Sequence, residues 1–328
     1  MEFASLDLPT LFNPSTCVRK GLCPVTVPLT GTKHELYFEQ HGRGEKYKII
    51  LIMGLNSSSF GWVKQVEWFG SGKAFQDEEG EGEKSTVLIF DNRGVGNSGY
   101  PSGPYSTSTM AEDVICLLDH VGWTEEKGVH VVGISLGGMI AQELAWRIPE
   151  RIGSLVLAVT TPGGWFWNNI PPWKGAMSLT KIMMTPDPLM MAPIVADMLY
   201  TQDWLKERDI DEPNKTNRQV QQEAYLRRVA ITKKQRWIGH VSQMVAGLTH
   251  HVSAERLREI GEGVGRVAIV VGDEDHLVWR EGSRRLKEGM GKVVLEEWRN
   301  TGHGIHVQRW REFNQLVERT IRTGARGV

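Results

Sequence analysis

Residues 129–149 read VHVVGISLGGMIAQELAWRIP. The first six form a short apolar run of the length expected of a buried strand. After Ser135, the residues Met139, Ile140, Leu144 and Ala145 recur at helical spacing, and Pro149 ends the pattern. At the junction stands Gly133-Ile134-Ser135-Leu136-Gly137, a G-x-S-x-G spacing between strand and helix. A serine held there sits in a tight, strained turn that pushes its hydroxyl out of the sheet's end. Small residues are needed two positions to either side, because strand and helix crowd together, and Gly133 and Gly137 meet that need. The N–H groups and positive dipole end of the following helix would face an oxyanion forming at the serine.

Similar runs lie on both sides. Residues 47–54 (YKIILIMG), 87–90 (VLIF), 152–159 (IGSLVLAV), 266–271 (RVAIVV) and 292–298 (KVVLEEW) read as strands. Residues 34–41 (HELYFEQH) alternate and then meet Gly42, another strand signal. Met110, Val114, Leu117, Leu118 and Val121 space a helix over 108–122, and a closing helix falls near 308–322. Strands alternating with helices imply an α/β fold, with a mostly parallel, doubly wound sheet covered on both faces.

The rhythm breaks over 162–260, which holds no clear strand but carries Trp165, Trp167, Trp173, Trp204 and Trp237 and seven methionines from Met177 to Met244. An α-helical cap inserted after the sixth strand of one sheet domain is the economical reading. The expected organisation is an N-terminal arm over 1–32, a core over 33–162 and 261–328, and a helical cap over 163–260. Residues 1–30 read as an irregular, proline-containing arm lying on the core. The acidic, Gly-rich stretch 71–85 reads as a solvated surface loop.

With 328 residues, 40 % of them hydrophobic, the chain is long enough to bury a sizeable core. Thirty-eight basic residues against 39 acidic ones leave a net charge of −1, which gives no bulk attraction to nucleic acid or anionic membrane. No stretch approaches the roughly 20 apolar residues of a membrane-spanning helix. The first residues, MEFASLDLPTLFNPSTC, lack the basic head and apolar run of a secretory signal, so the expected address is the cytoplasm. Three cysteines, Cys17, Cys23 and Cys116, do not make a disulfide framework. Cys17 and Cys23 bracket a short loop and could bridge or bind metal, but free thiols are expected. No metal and no organic cofactor is implied.

A serine hydroxyl becomes a useful nucleophile when a base takes its proton. Of ten histidines, His303 lies in a Gly-flanked loop, NTGHG, after a strand and before the last helix. A parallel sheet delivers the loops that follow its strands to one edge, so Ser135 and His303 are expected together. His306 is the nearest rival. The imidazole needs a carboxylate to fix its tautomer. VGDEDHLV, on the same edge, offers Asp273, Glu274 and Asp275, and spacing alone does not choose among them. One oxyanion donor should be the N–H of Leu136, and another should come from the loop after IILIMG, which points to Leu55. Asn56 and the serines at 57–59 could add side-chain donors or cap a helix.

Taken in order, MGLNSSSFGW, DNRGVGNSG, GISLGGMIAQELA, VVGDEDHLV and TGHG resemble the α/β-hydrolase superfamily over about residues 33–320. The stretch SLGGMIAQELAWRIPERIGSLVL is especially like its esterases, lipases and lactonases. The resemblance implies a triad of Ser135, Asp275 and His303, with Asp275 chosen because family members carry the acid three residues after the glycine, here Gly272. It also implies a helical lid over the sheet. DNRGVGNSG resembles a family motif that turns the chain beneath the active site, so Asp91 and Arg93 are expected to be structural. Met53-Gly54 stands where the family usually has His-Gly, and Trp279 where a proline often follows the acid loop.

The expected activity is therefore hydrolysis of a carboxylic ester, lactone or acylglycerol with apolar groups, a small-molecule substrate. Asn56, Met139, Trp165 and Trp167 are candidate pocket residues, because aromatics and methionines can wall an acyl pocket. The same residues could instead serve the lid's own packing. Prolyl-aminopeptidase relatives carry lid acids that hold an amine, and Asp187, Asp197, Asp203 and Asp209 keep an amide or peptide hydrolase open. A non-hydrolytic lyase or ligand-binding member of the fold is a further alternative.

Overall fold

The strands over 47–54, 129–134, 152–159 and 266–271 read as apolar runs because side chains alternate sides and both sides of the sheet are covered. The computed structural model describes residues 8–26, 31–76 and 84–324. Among these, eight strands form one sheet: β1 (Cys17–Thr26), β2 (Lys33–His41), β3 (Tyr47–Ile52), β4 (Ser85–Phe90), β5 (Val129–Ile134), β6 (Ile152–Ala158), β7 (Val267–Gly272) and β8 (Val294–Trp298). Their spatial order is β1-β2-β4-β3-β5-β6-β7-β8. The β1–β2 and β2–β4 pairs are antiparallel, and every later pair is parallel.

Helices interleave with the strands: α1 (Val63–Gly70), α2 (Thr107–Val121) and α3 (Leu136–Arg147) precede β6. Between β6 and β7 come α4 (Trp173–Met184), α5 (Pro188–Leu199), α6 (Gln202–Lys206), α7 (Asn217–Ile231), α8 (Trp237–Leu248) and α9 (Ala254–Gly263). Then follow α10 (Arg280–Met290), α11 (Ile305–Gln308) and α12 (Trp310–Gly324). Two cores result. Ile50, Ile52, Val131, Leu155 and Ile269 meet α2, α3, α9 and α10 on one face. Ile49, Leu51, Val132, Val156 and Val270 meet α1 and α12 on the other. Ser106 starts α2 with a reciprocal cap to Thr109, and Gly122, at φ 81°, ends it.

Two expectations need correction. The arm is not irregular throughout, because residues 17–26 form β1, an edge strand paired with β2. Pro24, which cannot donate to a ladder, and alternating polar residues hid the strand, and an edge position tolerates both. Residues 1–7 and 27–30 of the arm, 77–83 of the acidic stretch and 325–328 lie outside the described residues. The cap boundary at 260 also cuts α9, whose buried Leu257 and Ile260 pack into the core beneath α3 and α10. Cys17 and Cys23 are free, being six residues and so ~20 Å apart along one strand.

Candidate active site

Ser135 caps α3 at the end of β5 with φ 56° and ψ −123°, a backbone conformation a serine rarely adopts. Neighbouring bonds hold it there. Its N–H donates to the Ala158 carbonyl at 2.9 Å, and its own carbonyl accepts the Gly138 N–H at 2.9 Å and the Thr160 hydroxyl at 2.8 Å. The flanking glycines are steric requirements. A Cβ on Gly133 would lie 2.4 Å from the Gly137 carbonyl oxygen, and one on Gly137 would lie 2.1 Å from that of Ile52. The loop after β3 also passes against the serine, since a Cβ on Gly54 would be 3.1 Å from the Cβ of Ser135 and 3.6 Å from its Oγ. Leu55 and Asn56 follow directly.

His303 and Asp275 come together at the carboxyl ends of β8 and β7. Nδ1 of His303 lies 2.9 Å from Oδ1 and 2.8 Å from Oδ2 of Asp275, and both residues are buried. Oδ1 of Asp275 also accepts the N–H groups of Leu277 at 2.8 Å and Val278 at 3.0 Å. Asp273 and Glu274 are exposed, and Asp273 accepts the Thr301 N–H at 3.2 Å. Of the three acids, only Asp275 meets the imidazole. The glycines beside His303 admit the end of α5: a Cβ on Gly302 would sit 2.5 Å from the Leu199 carbonyl oxygen, and one on Gly304 2.3 Å from the Tyr200 ring. His306, the rival base, is a core residue packed edge-on against Trp62 at 4.9 Å. Burial pushes its pKa down to about 3.

An imidazole whose Nδ1–H is held by a carboxylate presents Nε2 as an acceptor, the state a general base needs. Leu136 stands at the first position of α3, where a backbone N–H has no partner within the helix.

Asn56, at φ 54°, is tied to the insertion through its backbone N–H and its side-chain oxygen. Its N–H donates to Oε1 of Gln243 at 2.8 Å, and its Oδ1 accepts Nε2 of Gln235 at 2.9 Å. Gln243, buried in α8, also donates to the Arg93 carbonyl at 2.7 Å. Side chains from the insertion thus clamp the loop after β3. Sequence reasoning missed Gln235, Gln243 and Thr160, and no spacing signal marks them. Ser59 donates through its N–H at 2.7 Å and its hydroxyl at 2.8 Å to Oδ1 of Asp91. Asp91 is fully buried, which raises its pKa, and its Oδ2 accepts the Asn97 N–H at 2.8 Å. Arg93 pairs with the buried Asp113 through Nε at 2.6 Å. The DNRGVGNSG turn is therefore a buried brace under the site.

A cavity of about 260 Å³ lies beside the strand-to-helix elbow at Ser135, lined by Met139, Thr161, Ile170, Leu277, Val278 and Trp279 and also by the polar Asn168, Asn169, Glu281 and Arg285, while Ser135 and His303 are not among its lining residues. Met139 lines this cavity, whereas Asn56, Trp165 and Trp167 are not among its lining residues. Trp165 and Trp167 stack on each other at 5.3 Å, and both are exposed. They sit on a short 3-10 turn (Phe166–Asn169), which has no repeating face to bury, so composition alone did not reveal their direction. Far from this edge, Cys17, Glu39 and His41 gather donor atoms within 4.8 Å of one another. His41 is already bonded to Thr16 at 2.9 Å and Glu39 at 3.2 Å, and Glu39 also accepts from Tyr37 and Thr10, so the cluster works as a polar pin between β2 and the segment that leads into β1.

The sequence pattern of the Alpha/beta hydrolase family matches residues 41–316. The chain is 31 % identical over 182 residues to a putative carbamate hydrolase RutD of Caulobacter segnis, which is 54 % of this chain and 60 % of that protein. It is 32 % identical over 132 residues to 3-oxoadipate enol-lactonase 2 of Acinetobacter baylyi, 40 % of this chain and 44 % of that protein. It spans between 43 % and 60 % of the length of such curated relatives. A thermophilic esterase from Thermogutta terrifontis superposes with a TM-score of 0.70 at 17 % identity, over 93 % of this chain and 99 % of that one. At that identity the likeness speaks to the fold alone.

Proposed function

The chain belongs to the alpha/beta hydrolase family, and on that premise we propose that it cleaves a carboxylic ester or lactone with apolar groups through an acyl-enzyme on Ser135. The observation that carries this reading is the buried contact between Nδ1 of His303 and the Asp275 carboxylate. Nε2 of His303 takes the proton as Oγ of Ser135 attacks the carbonyl carbon. The N–H groups of Leu136 and Leu55 hold the oxyanion. His303 then protonates the departing alkoxide. Water, deprotonated by the same nitrogen, releases the acid and frees the serine. Helices α4–α8 form the lid of this site.

An apolar acyl or alcohol group is supported by Met139, Leu277 and Val278 in the cavity wall. The amine-binding alternative draws no support from the four acids of the insertion. Asp187 accepts the Leu189 N–H at 2.9 Å, Asp197 pairs with Arg218 at 2.8 Å, Asp203 pairs with Lys206 at 3.6 Å, and Asp209 accepts the Asp211 N–H at 2.9 Å. None of them lines the cavity. A carbamate, the substrate class in the name of one relative, would use the same carbonyl chemistry. A panel of nitrophenyl esters, lactones, carbamates and aminoacyl amides separates these readings. Turnover of esters or lactones above the others is expected, whereas a preference for amides would overturn the ester assignment.

A further inference from the structure

Large apolar side chains left in water are normally scattered singly, and a contiguous group marks a surface that meets something apolar. This chain gathers such a group on one face. Trp165, Trp173 and Met184 are 72 %, 76 % and 78 % exposed. Phe166 meets Trp167 edge-on at 5.5 Å, and the indole N–H of Trp279 donates to the Ile170 carbonyl at 3.0 Å, tying the loop after β7 to this turn. Three residues on, α4 begins. Its Gly175 lies so close to the loop carrying Asp275 that a Cβ there would be 1.9 Å from the His276 carbonyl oxygen. The tip between α4 and α5, which pack together, exposes Met183, Met184, Leu189 and Met190.

The charge on this face is predominantly positive. Residues 160–186 contain Lys174 and Lys181 and no acid, and both lysines are exposed. Arg280 is exposed beside Trp279. Two acids lie among them, Asp187 at the α4–α5 tip and Glu281, which is paired with Arg284 at 3.2 Å, so Lys174, Lys181 and Arg280 leave a positive excess. Indoles favour the headgroup level of a bilayer, Met and Leu side chains enter the acyl boundary, and lysines bind anionic headgroups. A second copy of the chain is the competing occupant, and the measurement below separates it from a bilayer.

We propose that this face, built from the 165–170 turn, the α4–α5 hairpin and Trp279, seats the protein on a bilayer containing anionic phospholipid. The seating is superficial, since no helix among the described residues is long and apolar enough to cross a membrane. Ile170 and Trp279 belong both to this face and to the cavity wall. If the site is the esterase proposed above, an ester dissolved in lipid enters it directly from the bilayer.

Flotation with phosphatidylcholine vesicles, with and without phosphatidylglycerol, tests the seating. The variant combines Trp173→Ser, Met184→Ser and Leu189→Ser, none of which lines the cavity. The native protein is expected to float with the phosphatidylglycerol vesicles, and the variant to partition about tenfold less or weaker. Both should hydrolyse water-soluble nitrophenyl acetate equally, while the variant loses turnover of an ester embedded in the vesicles. Native protein that stays in the soluble fraction with both vesicles overturns the proposal. So does a native dimer that the triple variant converts to monomer, because a second copy then covers the face. Vesicle binding without hydrolysis of either ester supports the seating and refutes the esterase reading instead.

Discussion

Oδ1 of Asp275 is shared between the imidazole of His303, at 2.9 Å, and the backbone N–H groups of Leu277 and Val278, at 2.8 and 3.0 Å. The backbone bonds orient the carboxylate before the imidazole meets it. In Asp275→Asn the amide oxygen can keep the backbone bonds, which turns the NH2 toward Nδ1 of His303. The imidazole must then carry its proton on Nε2 and can no longer accept one from Ser135. A fall in kcat of about 10⁴-fold is expected with the fold intact. Steady-state kinetics together with thermal unfolding check this, and a variant within tenfold of native kcat would contradict the role of Asp275.

Gln243 ties α8 to the loop after β3, which carries the proposed second oxyanion donor, through the N–H of Asn56 at 2.8 Å and the carbonyl of Arg93 at 2.7 Å. It is a positioning residue. Gln243→Leu should lower kcat on a soluble ester about 10- to 100-fold with a smaller change in KM. Gln243→Glu keeps the acceptor for Asn56 and should recover part of the loss. Native kcat in the leucine variant, with lowered stability alone, would show a purely structural role.

Glycines at the elbow should be far less replaceable than a glycine with room around it. A Cβ on Gly137 would lie 2.1 Å from the Ile52 carbonyl oxygen, whereas one on Gly122, at φ 81°, would meet nothing within 4 Å. Gly137→Ala is expected to cost about 3 kcal/mol or more, or to prevent folding, and Gly122→Ala about 1–2 kcal/mol. Urea unfolding of the two variants compares them, and equal losses would contradict the crowding at the elbow.

Acid should destabilise the fold in part through His306. Burial lowers its pKa from 6.5 to about 3 in the folded chain. It stays neutral there while the unfolded chain takes up a proton. Its contribution is therefore fully present above about pH 6.5 and is lost as the pH falls toward 3. Between pH 7 and 5 the loss from this one group is about 2 kcal/mol. In His306→Leu the drop in unfolding free energy over that interval should be smaller by about that amount. An unchanged drop would contradict a neutral, buried His306.

The sheet was legible because strands buried on both faces must be apolar throughout, as 49–52 and 131–134 are, and because a strained serine turn demands Gly133 and Gly137. β1 escaped because Pro24 breaks the strand signal where an edge position makes it harmless. Which acid meets His303 could not be read from Asp273, Glu274 and Asp275 themselves, since the choice depends on how the loop after β7 turns. The bond between Asn56 and Gln243 joins residues 187 apart, and no local periodicity encodes such a contact. Trp165 and Trp167 have the composition of pocket walls, but their direction depends on how their turn is anchored by Asn169 to the carbonyls of Leu248 and His250, 79 and 81 residues away.

Covalent capture of the serine tests the mechanism most directly. The native protein would be treated with a fluorophosphonate, digested, and searched by mass spectrometry for the modified peptide. The expected adduct lies on Ser135, accompanies complete loss of ester hydrolysis, and disappears in Ser135→Ala. Hydrolysis that continues in Ser135→Ala, or an adduct on another serine that abolishes activity, would contradict Ser135 as the nucleophile.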